Sequence, residues 1–134
     1  MPSHDVMVVS EHLGTQQMLA RALGRFGCAP IIVSTVLEAT TIIERQPIAL
    51  IFCSDELLDG GVEDFVQLAS QRPYRIPVVV VSRLDDWSRY VHFLQVGAFD
   101  YVLYPPNGDE IDRVVRTVLF GGELEKVKHA AAVV

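Results

Sequence analysis

The chain has 134 residues, half of them hydrophobic and 21% charged, which fits one globular domain able to build its own core and excludes a disordered chain. A net charge of −6 with scattered Lys and Arg argues against direct binding to nucleic acid. Apolar runs such as Ile76 to Val81 fall far short of the ~20 residues that span a bilayer, and the start, Met1-Pro2-Ser3-His4-Asp5, lacks a secretory pattern. No membrane contact is therefore expected, and the expected compartment is the cytoplasm. Cys28 and Cys53 have no metal-type spacing and read as reduced thiols, and the four His residues are dispersed.

In chain order, Val6 to Ser10 is a short β-branched run that turns polar at Ser10-Glu11-His12. From Thr15 to Phe26, Met18, Leu19, Ala22, Leu23 and Phe26 recur at helical spacing before Gly27. Pro30 to Val33 reads as a second strand. Thr35 and Glu38 form a capping-box pattern ahead of a helix carrying Ala39, Ile42 and Ile43, which Gln46-Pro47 ends. Ile48 to Phe52 is an unbroken apolar run of strand length, expected to be the central strand, buried on both faces. Ser54, Asp55, Glu56 and Asp59 follow at once, so polar groups gather where sites form in open α/β sheets, beyond the carboxyl ends of strands.

Gly60-Gly61 opens a third helix faced by Val62, Phe65, Val66 and Ala69, closed by Gln71-Arg72-Pro73. Val78 to Val81 is a wholly apolar strand ending at Ser82. Asp85-Asp86 start a fourth helix, where the dipole favours negative charge, with Tyr90, Val91 and Leu94 as its expected inner face and Gly97 as its stop. Phe99 to Leu103 is a fifth strand, and Asn107 with Glu110 caps a helix lined by Ile111, Val114, Val115, Val118 and Leu119. Strands alternating with helices imply right-handed crossovers and a five-stranded parallel sheet between two helical layers, a doubly wound three-layer α/β/α sandwich. The domain is expected over residues 1–120, with 121–134 as a C-terminal tail or the start of a linker.

With these elements in place, the chain resembles the receiver domains of response regulators, the CheY-like family of two-component phosphorelay signalling. The resemblance implies the flavodoxin-like strand order 2-1-3-4-5. The family has two acids after its first strand, a phosphoryl-accepting Asp ending the third, a Ser or Thr ending the fourth, and a Lys before Pro after the fifth. Ser82 matches the hydroxyl position. Gly97-Ala98-Phe99-Asp100-Tyr101 resembles the approach to the fifth strand and puts Tyr101 at the aromatic switch position. Pro105 falls at the family's Pro, whose preceding peptide is usually cis. Gly61, eight residues beyond Cys53, sets the loop register. That register puts Cys53 at the acceptor position, Ser10 and Glu11 at the two acids, and Tyr104 at the Lys.

A thiol cannot form the acyl phosphate, and Tyr cannot supply the cation that pairs with phosphoryl oxygens. The resemblance therefore implies a receiver degenerate at its phosphorylation site, a pseudo-receiver acting as a regulatory protein-binding module rather than an enzyme. Cys53 is expected as a small buried hydrophobe whose pKa is raised by Glu11, Asp55 and Glu56. Asp55 is expected to make turn hydrogen bonds, Ser82 to cap its strand end and Tyr101 to be half-buried. No cofactor or metal is expected; Mg²⁺ enters only in the alternative of an active site, with Asp55 as acceptor and Glu11 beside the ion. A second alternative is a flavodoxin-like domain binding flavin or another small ligand, against which Glu11-His12-Leu13-Gly14-Thr15 is a poor phosphate cradle. Expected partners are a histidine kinase or an output domain. A homodimer through the fourth helix, fifth strand and fifth helix would use Trp87, Tyr90, Tyr101 and Tyr104.

Overall fold

The computed structural model describes residues 4–121. Its elements run β1 (Val6–Val9), α1 (Leu13–Gly24), β2 (Ile31–Val33), α2 (Val36–Arg45), β3 (Leu50–Ser54), α3 (Val62–Ser70), β4 (Val78–Ser82), α4 (Trp87–Val96), β5 (Asp100–Leu103) and α5 (Gly108–Leu119). The five strands form one parallel sheet in the order β2-β1-β3-β4-β5. This is the flavodoxin-like order that the resemblance implied. The tail expected over 121–134 lies, apart from Gly121, outside the described residues.

Alternation along the strands divides the core into two apolar layers, because successive strand side chains point to opposite faces. Met7, Val9, Ile51, Cys53, Val78, Val80 and Tyr101 join the helical residues Ala39, Ile43, Phe65, Val66 and Phe93 on one face. Val6, Val8, Leu50, Phe52, Val79, Val81 and Val102 join Leu19, Leu23, Ile111, Val115 and Leu119 on the other. The sheet thus has α2, α3 and α4 on one side and α1 and α5 on the other.

The structure departs from the sequence-based expectation most at β3, α1 and α4. β3 is shifted towards its carboxyl end, so Cys53 and Ser54 are strand residues and Ile48 is not. The cause is the ladder: Cys53 pairs with Val9 on one side and Val80 on the other, and Ser54 pairs with Val81. α1 begins at Leu13, so most of the supposed loop after β1 is helix, capped by the His12 ring accepting the Thr15 N–H. In α4 the inner face is centred on Phe93, which is fully buried; Tyr90, Val91 and Leu94 are only half-buried.

The caps read from sequence at α2 and α5 are present. Thr35 accepts from the Glu38 N–H at 3.1 Å, and Asn107 and Glu110 close a reciprocal capping box. Asp86 caps α4 through Ser88 N at 2.9 Å, and Gly97 ends it at φ 118°, a left-handed conformation that favours glycine.

Phe52 is wholly buried in the α1/α5 layer of the central strand. Phe52→Ala is expected to cost about 3–5 kcal/mol of stability. Chemical denaturation checks this; an unchanged midpoint would contradict two-sided burial of β3.

Candidate functional site

The carboxyl ends of β1, β3 and β4 open into a cleft of about 640 Å³ lined by Glu11, His12, Thr15, Ser54, Asp55, Glu56, Leu57, Leu58, Val81, Arg83 and Leu84. Parallel strands put their ends on one edge of the sheet, so the polar residues that follow each strand converge there.

Cys53 is not among the lining residues. Its side chain is fully buried in the α2/α3/α4 layer, alternating with Phe52 and Ser54. Burial first, then the negative charges of Asp55 and Asp59, pushes the Cys53 thiol up to about 12. Of the charges expected to raise it, Asp55 does so, while burial and Asp59 take the place of Glu11 and Glu56. The residue that ends β3 and reaches the cleft is Ser54, one position further on. Its hydroxyl donates to Ser10 Oγ at 2.8 Å, and Ser10, itself fully buried, also accepts from the His12 N–H at 3.1 Å. Two hydroxyls therefore stand bonded to each other at the ends of β1 and β3.

Asp55 does not make the turn hydrogen bonds expected of it. Its Oδ2 accepts from Arg89 Nε at 3.1 Å, Arg89 Nη2 at 2.7 Å and the Ser82 hydroxyl at 2.8 Å. Ser82 also accepts from the Leu84 N–H at 3.0 Å, which is the expected strand-end capping. Its single proton has a nearer acceptor in Asp55 than in the Leu84 carbonyl at 3.3 Å. For Arg89, burial opposes the charged form, but hydrogen bonding to Asp55 and its charge, with Tyr101 and Glu56 adding, outweigh burial and raise the guanidinium's pKa.

Arg89 is the site residue that sequence reading missed. A weak signal for it existed: it is the third residue of α4, where the helix dipole disfavours a cation and favours a nearby anion.

The other acids are also engaged by backbone donors. Glu11 Oε1 accepts from the Leu58 N–H at 2.7 Å. Asp59 reaches across to α2, its two oxygens accepting from Val36 N and Leu37 N at 3.1 Å each. The Val36 bond, joined by that of Leu37, holds the Asp59 carboxyl below its ordinary range, against an opposing effect of desolvation.

Tyr101 is buried rather than half-buried, and its hydroxyl donates to the Leu84 carbonyl at 3.2 Å. It meets Tyr90 edge-on at 5.7 Å, and Tyr90 stacks on the exposed Trp87 at 5.1 Å. Tyr104 is not part of this ladder. It packs on the α1 side, edge-on to His12 at 5.0 Å and over Gly14, where an added Cβ would lie 2.5 Å from its hydroxyl oxygen. The Tyr104–Pro105 peptide is cis.

A hard divalent ion such as Mg²⁺ wants about six oxygen ligands. Ser10 offers a hydroxyl already bonded to Ser54, Glu11 has Oε1 held by the Leu58 N–H, and Asp55 faces a guanidinium. Among the described residues, no group of three or more His, Cys, Asp and Glu side chains is disposed to hold a metal. The residues present do not fit the ion. At the α1 N-terminus, where a flavin phosphate would seek N–H donors, the His12 ring already takes the Thr15 N–H.

No family model matches the chain. It is 26% identical over 119 residues to response regulator protein PilR of Pseudomonas aeruginosa, covering 89% of this chain and 27% of that protein. It is 29% identical over 98 residues to a probable transcriptional regulatory protein, y4xI, of Sinorhizobium fredii, covering 73% of this chain and 43% of that protein. Among solved structures, a response regulator from Thermotoga maritima superposes with a TM-score of 0.77 at 25% identity, covering 89% of this chain and 99% of that one. The chain is similar to response regulators in sequence and shares the fold of their receiver domains. The receiver domain of NtrX from Brucella abortus has the same fold, with a TM-score of 0.77 at 19% identity over 88% of this chain and all of that one. The chain spans about a quarter to under half the length of the two relatives named. No helix among the described residues is long and apolar enough to cross a membrane.

Two measurements check the geometry. In native protein at about pH 8, only the half-exposed Cys28 is expected to react with a thiol reagent, Cys53 following on unfolding, because its thiolate is both buried and scarce. Rapid labelling of both would contradict the placement of Cys53. The Asp59 carboxyl is depressed in the folded state, so its contribution is present above the unfolded pKa and lost as pH falls through the folded value. Asp59→Ala is expected to lower the melting temperature at neutral pH and to leave less loss on acidification, with the difference from wild type vanishing at low pH.

Proposed function

We propose that this domain is a pseudo-receiver, a regulatory protein-binding module whose output does not depend on phosphorylation. The observation that carries the reading is the state of Asp55. Its accepting oxygen is already held by Arg89 and Ser82, so the contacts that a phosphoryl group would recruit are made inside the protein. Ser10 and Ser54 give the strand ends hydroxyls in place of carboxylates, and Tyr104 offers no cation. With Cys53 in the core, Ser54 is the better counterpart of the family's acceptor, and a serine does not form an acyl phosphate.

The partners proposed are a histidine kinase or an output domain, in a cytoplasmic two-component system. Trp87 is 74% exposed and Leu103 38% exposed, on α4 and β5. Exposed apolar and aromatic groups of this kind suit protein contact, and the same face could serve a homodimer. One solved neighbour, with a TM-score of 0.78 at 18% identity, is described as a beryllofluoride-activated NtrC4 receiver domain dimer, a statement about that protein.

One geometric feature favours an active receiver instead: the Asp55 carboxylate and Ser82 hydroxyl are 2.8 Å apart at adjacent strand ends. Incubation with acetyl phosphate and Mg²⁺ separates the readings. The expected intact mass is unchanged. A gain of one phosphate, released by hydroxylamine, would overturn the proposal and identify Asp55 as acceptor once an Asp55→Asn variant abolished the gain.

A further inference from the structure

Asp55 and Arg89 are both partly buried, their side chains 11% and 28% exposed, and the guanidinium places two nitrogens on the single oxygen Oδ2. A second acid, Glu56, stands 3.7 Å from Arg89 Nη2. Ser82 brings the end of β4 to the same oxygen, so β3, β4 and the first turn of α4 meet at one atom. A cation in that turn works against the helix dipole, and here the Asp55 carboxylate offsets it. Phe93 is the one fully buried residue of α4, with Tyr90, Leu94 and Val96 only partly buried against the same core. Its outer end carries the Trp87–Tyr90 stack, which leads inwards to Tyr101.

We propose that Arg89 is the built-in counter-ion of Asp55: it neutralises that carboxylate from within the protein, and so pins the N-terminal half of α4, with the Trp87–Tyr90 stack, to the ends of β3 and β4. The pinned helix then presents its aromatic surface without metal or phosphoryl group. This deepens the phosphorylation-independent reading and rests on it for the permanence of the hold. The pair itself is a matter of local geometry and is tested apart from that reading.

The test is amide hydrogen exchange followed by NMR on the full chain, with Arg89→Gln, Asp55→Asn, the double variant and Arg89→Lys. Each of the first two is expected to speed exchange at the amides of Tyr90 to Phe93 about ten-fold, the amides of α1 and α5 keeping their rates. The double variant should be no faster than either single one, since both remove the same contact. Arg89→Lys should restore part of the protection, because a lysine supplies the charge without the two-nitrogen fork. Manganese(II) is expected to broaden the amide signals of Glu11, Asp55 and Glu56 more in Arg89→Gln than in wild type. Unchanged exchange in Arg89→Gln, additive effects in the double variant, a rise spread evenly over all five helices, or equal broadening in the two proteins would each overturn the proposal. Uptake of phosphate by the wild type would count against the preceding reading alone, and the exchange cycle would still decide the role of Arg89.

Discussion

The constraint on which the rest depends is the two-sided burial of β3. Leu50, Ile51, Phe52 and Cys53 are all fully buried, and a strand between parallel neighbours, with helices on both faces, has no room for polar side chains along its length. Polar chemistry is therefore displaced to its carboxyl end. The same alternation that makes the core decides which residue enters the cleft: Cys53 belongs to the α2/α3/α4 layer, and Ser54, on the opposite phase, surfaces at the end. A shift of one residue exchanges a buried thiol for an accessible hydroxyl.

The cleft itself is organised by internal satisfaction of charge. Of the four acids that follow β1 and β3, three are met by hydrogen-bond donors of the protein, Glu11 by the Leu58 N–H, Asp55 by Arg89 and Ser82, and Asp59 by the first turn of α2, while the exposed Glu56 lies 3.7 Å from Arg89. A carboxylate that accepts such bonds is stabilised in its charged form and has less to offer an incoming ion. The acidity that invites a metal-site reading from sequence thus serves to tie loops to helices. Asp59 joins the β3–α3 loop to α2, and Asp55 joins the β3 end to α4.

The aromatic ladder from Trp87 through Tyr90 to Tyr101 links the outer surface of α4 to the interior of the sheet. Tyr101 closes it by donating to the Leu84 carbonyl, in the same loop whose N–H is held by Ser82. The β4–α4 loop is thereby fastened from two sides. Tyr104, expected on the same face, is drawn to the opposite layer instead, because Gly14 leaves open space over the first turn of α1 and His12 offers a ring edge.

The sequence by itself determined the number, order and type of the elements. Apolar runs of strand length, stripes at helical spacing and caps such as Thr35 and Asn107 are local signals, and local signals survive in one dimension. It also placed the polar cleft, because residues that follow buried strands have only the sheet edge to occupy. What only the tertiary structure decided were facts that depend on register and on distant partners. Whether Cys53 or Ser54 faces the cleft hangs on a single-residue phase that the apolar run Ile48 to Phe52 does not define, since a strand buried on both faces carries no alternation to read. That Asp55 is paired depends on Arg89, 34 positions away, brought within hydrogen-bond reach only when α4 packs against α3 and β5. Electrostatic pairing acts through space, and sequence distance carries no measure of it.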